Sequence, residues 1–198
     1  MKFLTILFLL ALVAISTSKA QDTTKIKQFY SKDFNWTITI PPNFDTVSIA
    51  DWNRFKNKGA EAVEKTYDQK ITDKTITIFV FRSGMANYFE ANYQPFDAKK
   101  DGNYKWLNKN VDAVLYHTLA TQIPGSVIDS ATTITAVGKV SFDAFILRAT
   151  LPNGVVFSIY SFSRLFGKRD FTVNIMFINN DKGNVMLDAW KKSVFAVN

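Results

Sequence analysis

Between Thr132 and Ile178 the chain passes through four runs of alternating apolar and polar residues: TTITAV, VSFDAFILRATL, VVFSIYSFSRL and RDFTVNIMFI. Only Gly138, Pro152-Asn153-Gly154 and Phe166-Gly167-Lys168 separate them, and these are tight-turn residues. A parallel crossover needs about a dozen residues or more, so strands this closely spaced must be antiparallel neighbours. In RDFTVNIMFI, Phe171, Val173, Ile175 and Phe177 share one face, while Thr172, Asn174 and Met176 take the other. In VVFSIYSFSRL, Phe157 and Ile159 share a face with Ser161 and Ser163, opposite Tyr160 and Phe162. A sheet with both faces covered requires this pattern for packing alone.

The rest of the chain supplies further strands and three helices. FNWTITI places Phe34, Trp36, Ile38 and Ile40 on one face and ends at Pro41-Pro42. Ser48, with Asp51 three residues on, predicts a helix start. Trp52, Phe55, Val63, Thr66 and Tyr67 continue at helical spacing, and Gly59 leaves one bent helix or two short ones open. KTITIFVFR reads as a strand. From Ser83 to Asn103 the chain reads as irregular, a long loop of the kind that often carries function. A helix over 104–123 shows a stripe of Leu107, Val111, Val114, Leu115 and Thr118 and stops at Pro124-Gly125. A last helix over 183–195 presents Met186, Leu187, Trp190 and Val194.

This order predicts an α+β fold, an antiparallel sheet of about six strands covered by helices. Three stretches carry a resemblance: FNWTITIPPNF, VGKVSFDAFILRATLPNGVVFSIYSF and DKGNVMLDAWKKSVF, the last with Trp190 and Phe195. Over about residues 33–196 the chain resembles the PsbP-like family, with its bacterial relatives and nuclear-transport factors of the same shape. The resemblance implies an α/β/α sandwich and a role in binding another protein.

The first twenty residues pair Lys2 with an uncharged run, FLTILFLLALVAI, and the small residues Ser18 and Ala20. This is the pattern of a secretory signal peptide cleaved before Gln21; the run is shorter than the ~20 residues that span a bilayer. With no cysteine anywhere, neither a lipid anchor nor a disulfide is expected. The expected organisation is a signal peptide over 1–20, a flexible lead over 21–32 and one α+β domain over 33–198, not transmembrane once mature. Loss of Lys2 and Lys19 leaves 22 basic side chains against 17 acidic ones, a charge of +5. Lysines spread over nearly every segment favour a solvated surface, and export argues against nucleic acid. SKAQ, with abundant Asn, Lys and Phe, also resembles exported proteins of the Bacteroidetes. That resemblance implies O-glycosylation at Asp22, Asp45 and Asp129, from the matches DTT, DTV and DSA.

Catalytic chemistry finds little to stand on. His117 is the one histidine, no G-x-S-x-G elbow is present, and zinc would require the clustered Cys and His that are missing. Asp97, Asp101 and Gly102 share the spacing of a calcium loop, but Lys99 and Asn108 occupy positions where that loop needs carboxylates. The three Glu, at 61, 64 and 90, suggest no facing pair. No catalytic residue, metal or cofactor is expected.

The leading expectation is a non-catalytic exported accessory protein that binds an envelope protein or peptide. Its contact residues would be Tyr88, Phe89, Tyr93 and Phe96 of the irregular segment and Arg164, Lys168 and Arg169 at a charged hairpin tip. That tip also suits an anionic lipid head group. The alternatives are a carrier of an apolar ligand, held between the sheet and the 104–123 helix, and an envelope hydrolase using His117 as base.

Overall fold

The structure, a computed structural model, describes residues 27–70 and 72–196. The signal-peptide segment and Asp22 lie outside the described residues. Ten strands and four helices follow in the order β1 (Lys27–Ser31), β2 (Trp36–Ile40), β3 (Asp45–Thr46), α1 (Ile49–Tyr67), β4 (Ile76–Arg82), β5 (Tyr88–Pro95), α2 (Ala98–Asp101), α3 (Tyr104–Gln122), β6 (Val127–Val137), β7 (Val140–Thr150), β8 (Val156–Phe166), β9 (Arg169–Phe177), α4 (Asn180–Lys191) and β10 (Val194–Phe195). Seven strands form one antiparallel sheet in the order β3-β4-β5-β9-β8-β7-β6, and β1, β2 and β10 form a second. This is an α+β fold whose antiparallel sheet is partly covered by helices.

The four-strand meander forms where the alternating pattern and tight turns require it, in continuous register from β6 to β9. Its two faces bury different material. On one, Phe142, Phe162, Phe171, Val173, Ile175 and Phe177 meet β2 and α4 in the main core. Trp36 is at its centre, fully buried, its ring 5.5 Å from Phe171, 5.7 Å from Phe79, 5.8 Å from Phe195 and 5.9 Å from Trp190. Its indole N–H donates to Ser193 Oγ at 2.9 Å, so the one polar atom of the ring is satisfied. On the other face, Phe145, Leu147, Ala149 and Ile159 pack against Leu115, Tyr116 and Leu119 of α3, and Val80, Tyr88 and Met176 surround Trp52 of α1.

Several expectations need correction. The 83–103 segment is not an irregular loop: it contains β5, paired on both sides with β4 and β9, and the short α2. Residues 27–31, expected within a flexible lead, form β1 against β2. The FNWTITI strand does not join the main sheet but lies in the three-stranded one, and the main sheet has seven strands where about six were expected. The final helix ends at Lys191, and Val194–Phe195 turn back as β10 to pair with Thr37 and Trp36. α1 runs unbroken through Gly59, with Ser48 as its N-cap accepting from Asp51 N–H at 3.1 Å. In α3 only Thr118 of the expected stripe is fully buried, and Val111 is exposed. The sheet beneath the first half of α3 is polar, so Asn108 and Asp112 line the space there along with Lys105 and Lys109. No helix among the described residues is long and apolar enough to cross a membrane.

Candidate functional site

The two hairpins β6–β7 and β8–β9 turn at the same end of the sheet, and both turn on Gly-Lys. Gly138 has φ +58° and Gly167 φ +60°, the left-handed value that the first position of a two-residue hairpin turn demands. Each turn thereby presents a lysine, Lys139 and Lys168, at its exposed second position. The β1–β2 turn and the segment after β10 reach the same place. Between them lies an open groove of about 390 Å³, with Phe34, Phe166 and Phe195 in its wall and Lys139, Arg164 and Asp33 as its charges.

The cations at this end differ in how they are held. Arg169 donates from Nη1 to the Asp33 carbonyl and carboxylate, both at 3.3 Å, with its guanidinium 5.9 Å from the Phe34 ring and 5.7 Å from Tyr93. Arg164 donates from Nη1 to the Ser141 carbonyl at 2.7 Å and lies 5.4 Å from the Phe166 ring. Its Nε–H is buried and has no acceptor among the described residues. Lys168 is exposed, and its carbonyl accepts from Phe96 N–H at 2.9 Å.

Five of the seven predicted contact residues therefore gather at one end: Tyr93, Phe96, Arg164, Lys168 and Arg169. Tyr88 and Phe89 do not. They sit at the far end of β5, where Phe89 is fully buried in the main core and Tyr88 packs on Trp52. Phe96 is also buried, edge-on to Tyr104 at 5.5 Å, so its link to the tip runs through the backbone. Lys139 and Phe166 line the same groove and were not among the predicted residues; the repeat of Gly-Lys in VGKV and FGKR is the sequence signal for the paired turns.

The helix-covered face has a polar centre of its own. Glu90 is buried on β5 and accepts from Trp52 Nε1–H at 2.6 Å and Asn174 Nδ2–H at 3.1 Å. Asp170, also buried, accepts from Tyr104 O–H at 2.9 Å and Gln94 Nε2–H at 3.1 Å. Burial pushes the Asp170 carboxyl above its ordinary value despite those two donors. Burial, then the neighbouring Asp170, pushes the Tyr104 phenol well up. An open groove of about 350 Å³ continues from here between α3 and β6, bordered by Lys105, Lys109, Asp112, Asp143, Ser161 and Ser163. Burial, reinforced by the Asp143 carboxylate, pushes Asp112 up to about 6. Ile134, Ala144 and Phe145 also line it, so its wall mixes apolar with polar and charged groups, and the opposite face of the sheet is packed with aromatic rings.

His117 is exposed on α3 with its ring edge-on to Tyr116 at 5.7 Å. Asp97 caps α2 by accepting from Lys99 N–H at 3.0 Å, and Asp101 accepts from Asp97 N–H at 2.7 Å, so both carboxylates serve the local turn. Among the described residues no group of three or more His, Asp or Glu side chains is placed to hold a metal ion. Asp45 and Asp129 are exposed, on β3 and β6.

The solution structure of cyanobacterial PsbP (CyanoP) from Synechocystis matches this chain with a TM-score of 0.56, covering 91% of it and 98% of CyanoP. The fold is PsbP-like. Sequence identity is 9%, so the likeness is one of architecture and says nothing of shared site residues. The crystal structure of the Ran-binding protein Mog1p from Saccharomyces cerevisiae aligns over 86% of this chain and 95% of its own, at 9% identity and a TM-score of 0.41. No protein-family model matches the sequence, and no curated protein matches it.

Proposed function

We propose that this is a non-catalytic, exported binding protein that grips an anionic group on a partner protein or peptide with the groove at its paired hairpin tips. The observation that carries the reading is Arg164. Its half-buried guanidinium donates to the neutral Ser141 carbonyl and pairs with no carboxylate among the described residues, so its charge is left for an anion to meet. Arg164 borders an open groove with aromatic walls, and Lys139 stands across the same groove. A carboxylate entering there would meet a guanidinium already positioned by Ser141 and Phe166, which limits the side-chain entropy lost on binding. Export rests on the signal-peptide pattern of residues 1–20 and places the partner in the periplasm or outside the cell. An anionic lipid head group offers the same chemistry to the groove and is distinguished by experiment.

Site-specific photocross-linking tests this. A photoreactive residue replacing Lys139 or Lys168 should capture one envelope protein in the cell of origin, and one replacing Lys58 on α1 should not. Arg164→Gln combined with Lys139→Glu should abolish capture while the thermal midpoint stays near that of the parent chain. Equal capture from Lys58 would remove the groove from the function, and capture of lipid alone would overturn the protein partner and leave the groove to an anionic head group.

A further inference from the structure

The two edges of the main sheet are built differently. β3 closes one edge with two residues, Asp45–Thr46. β6 forms the other with eleven, Val127–Val137, paired to β7 in unbroken register from Val127↔Thr150 to Val137↔Val140. Among the described residues β6 has a neighbour on one side only. Long edges of this kind are ordinarily protected by charge, proline, a bulge or a covering segment. From Ser130 to Val137 the strand reads SATTITAV, with no charge and no proline, and its pairing contains no bulge. Ile134 is 72% exposed there, and on neighbouring α3 Trp106 is 63% exposed.

We propose that β6 is the surface on which a second copy of this chain pairs, antiparallel and β6 to β6, joining the two seven-stranded sheets into one. The strand's composition favours its own copy. Pairing centred on Thr133 sets Thr132 opposite Ile134, Ala131 opposite Thr135, Ser130 opposite Ala136 and Asp129 opposite Val137, so no like charges face each other. The β-branched residues at 132–135 pack well across an antiparallel seam. At ~3.4 Å per residue and a sheet thickness of ~10 Å, the nine paired residues cover roughly 300 Å² per copy, less than half of the roughly 800 Å² that each partner of a typical stable interface buries. The dimer is therefore weak and concentration-dependent, and the exposed Ile134 side chain adds apolar contact beside the seam.

Sedimentation velocity of the purified chain over a hundredfold range of concentration, with single cysteines as reporters, tests the pairing. The chain has no cysteine, so each one introduced reports on its own position. The sedimentation coefficient should rise from monomer to dimer, and Ile134→Lys should hold the chain monomeric with an unchanged circular-dichroism spectrum. Under mild oxidation Thr133→Cys, which faces its own copy, should give a disulfide-linked dimer far in excess of Lys58→Cys, since opposed residues on paired strands lie within disulfide reach. A chain that stays monomeric throughout, or a dimer in which Thr133→Cys cross-links no more than Lys58→Cys, would overturn the proposal.

Discussion

Asp112 shows how a single residue sets a pH dependence. Its folded pKa of about 6 lies above the ordinary 3.8, so the folded chain holds this proton at pH values where the unfolded chain has released it. The carboxyl therefore favours folding least once pH has risen past about 6, and stability should fall as pH rises from ~4 to ~6. Asp112→Asn should flatten that decline and stabilise the chain at pH 7 by about 1 kcal/mol, a value reduced for the group's partial exposure. Chemical denaturation at a series of pH values measures both. Gly183 on α4 gives the opposite kind of prediction. A Cβ there would fall 2.5 Å from the Phe177 ring, so Gly183→Ala should destabilise by roughly 1–3 kcal/mol, read from the denaturation midpoint. Neither effect was legible beforehand: Asp112 looks like any helix-surface acid, and Gly183 like a weak spot in a helix, until the sheet beneath each is known.

At the scale of elements, the meander β6–β9 was legible because its faces alternate cleanly and its turns are too short for any other topology. β5 was not. Its main-core side carries Phe89, Ala91 and Tyr93, but its other side carries Glu90, Asn92 and Gln94, buried or half-buried, with Glu90 and Gln94 held by hydrogen bonds that a hydropathy pattern does not register. The α3 stripe misled for a related reason: the helix lies over polar sheet along its first half and over apolar sheet only near Leu115 and Leu119. Leu115→Ala should accordingly cost about 2 kcal/mol, while Val111→Ala, equally prominent in the sequence, should cost less than about 0.5 kcal/mol. β10 was read as the end of a helix because Trp190 and Phe195 are both core residues and helical spacing can accommodate them. Phe195 instead comes back across the core to stack on Trp36 at 5.8 Å and Phe166 at 5.6 Å. Phe195→Ala should cost roughly 3 kcal/mol in equilibrium denaturation, more than deletion of an exposed final turn would.

On the scale of the whole molecule, the topology gathers what the sequence scatters. Lys139, Arg164, Lys168 and Arg169 lie on two strands and two turns, yet the antiparallel meander returns all of them to one end, where the Asp33 turn and the Phe195 strand complete a groove. The charged tip was legible as a hairpin turn, but the groove was not, because one of its walls comes from a chain segment more than a hundred residues before the tip and another from the strand after the last helix. Binding through such a site carries a salt dependence: added salt should weaken capture of an acidic partner at the tips by screening Lys139 and Lys168, the exposed members. The most direct measurement is native mass spectrometry of the chain purified from its own cell envelope, before and after mild organic extraction. A complex with a second protein that survives extraction, and that is lost in the Arg164→Gln, Lys139→Glu variant, is the expected result. A chain carrying a small apolar mass that extraction removes, with no protein attached, would contradict it.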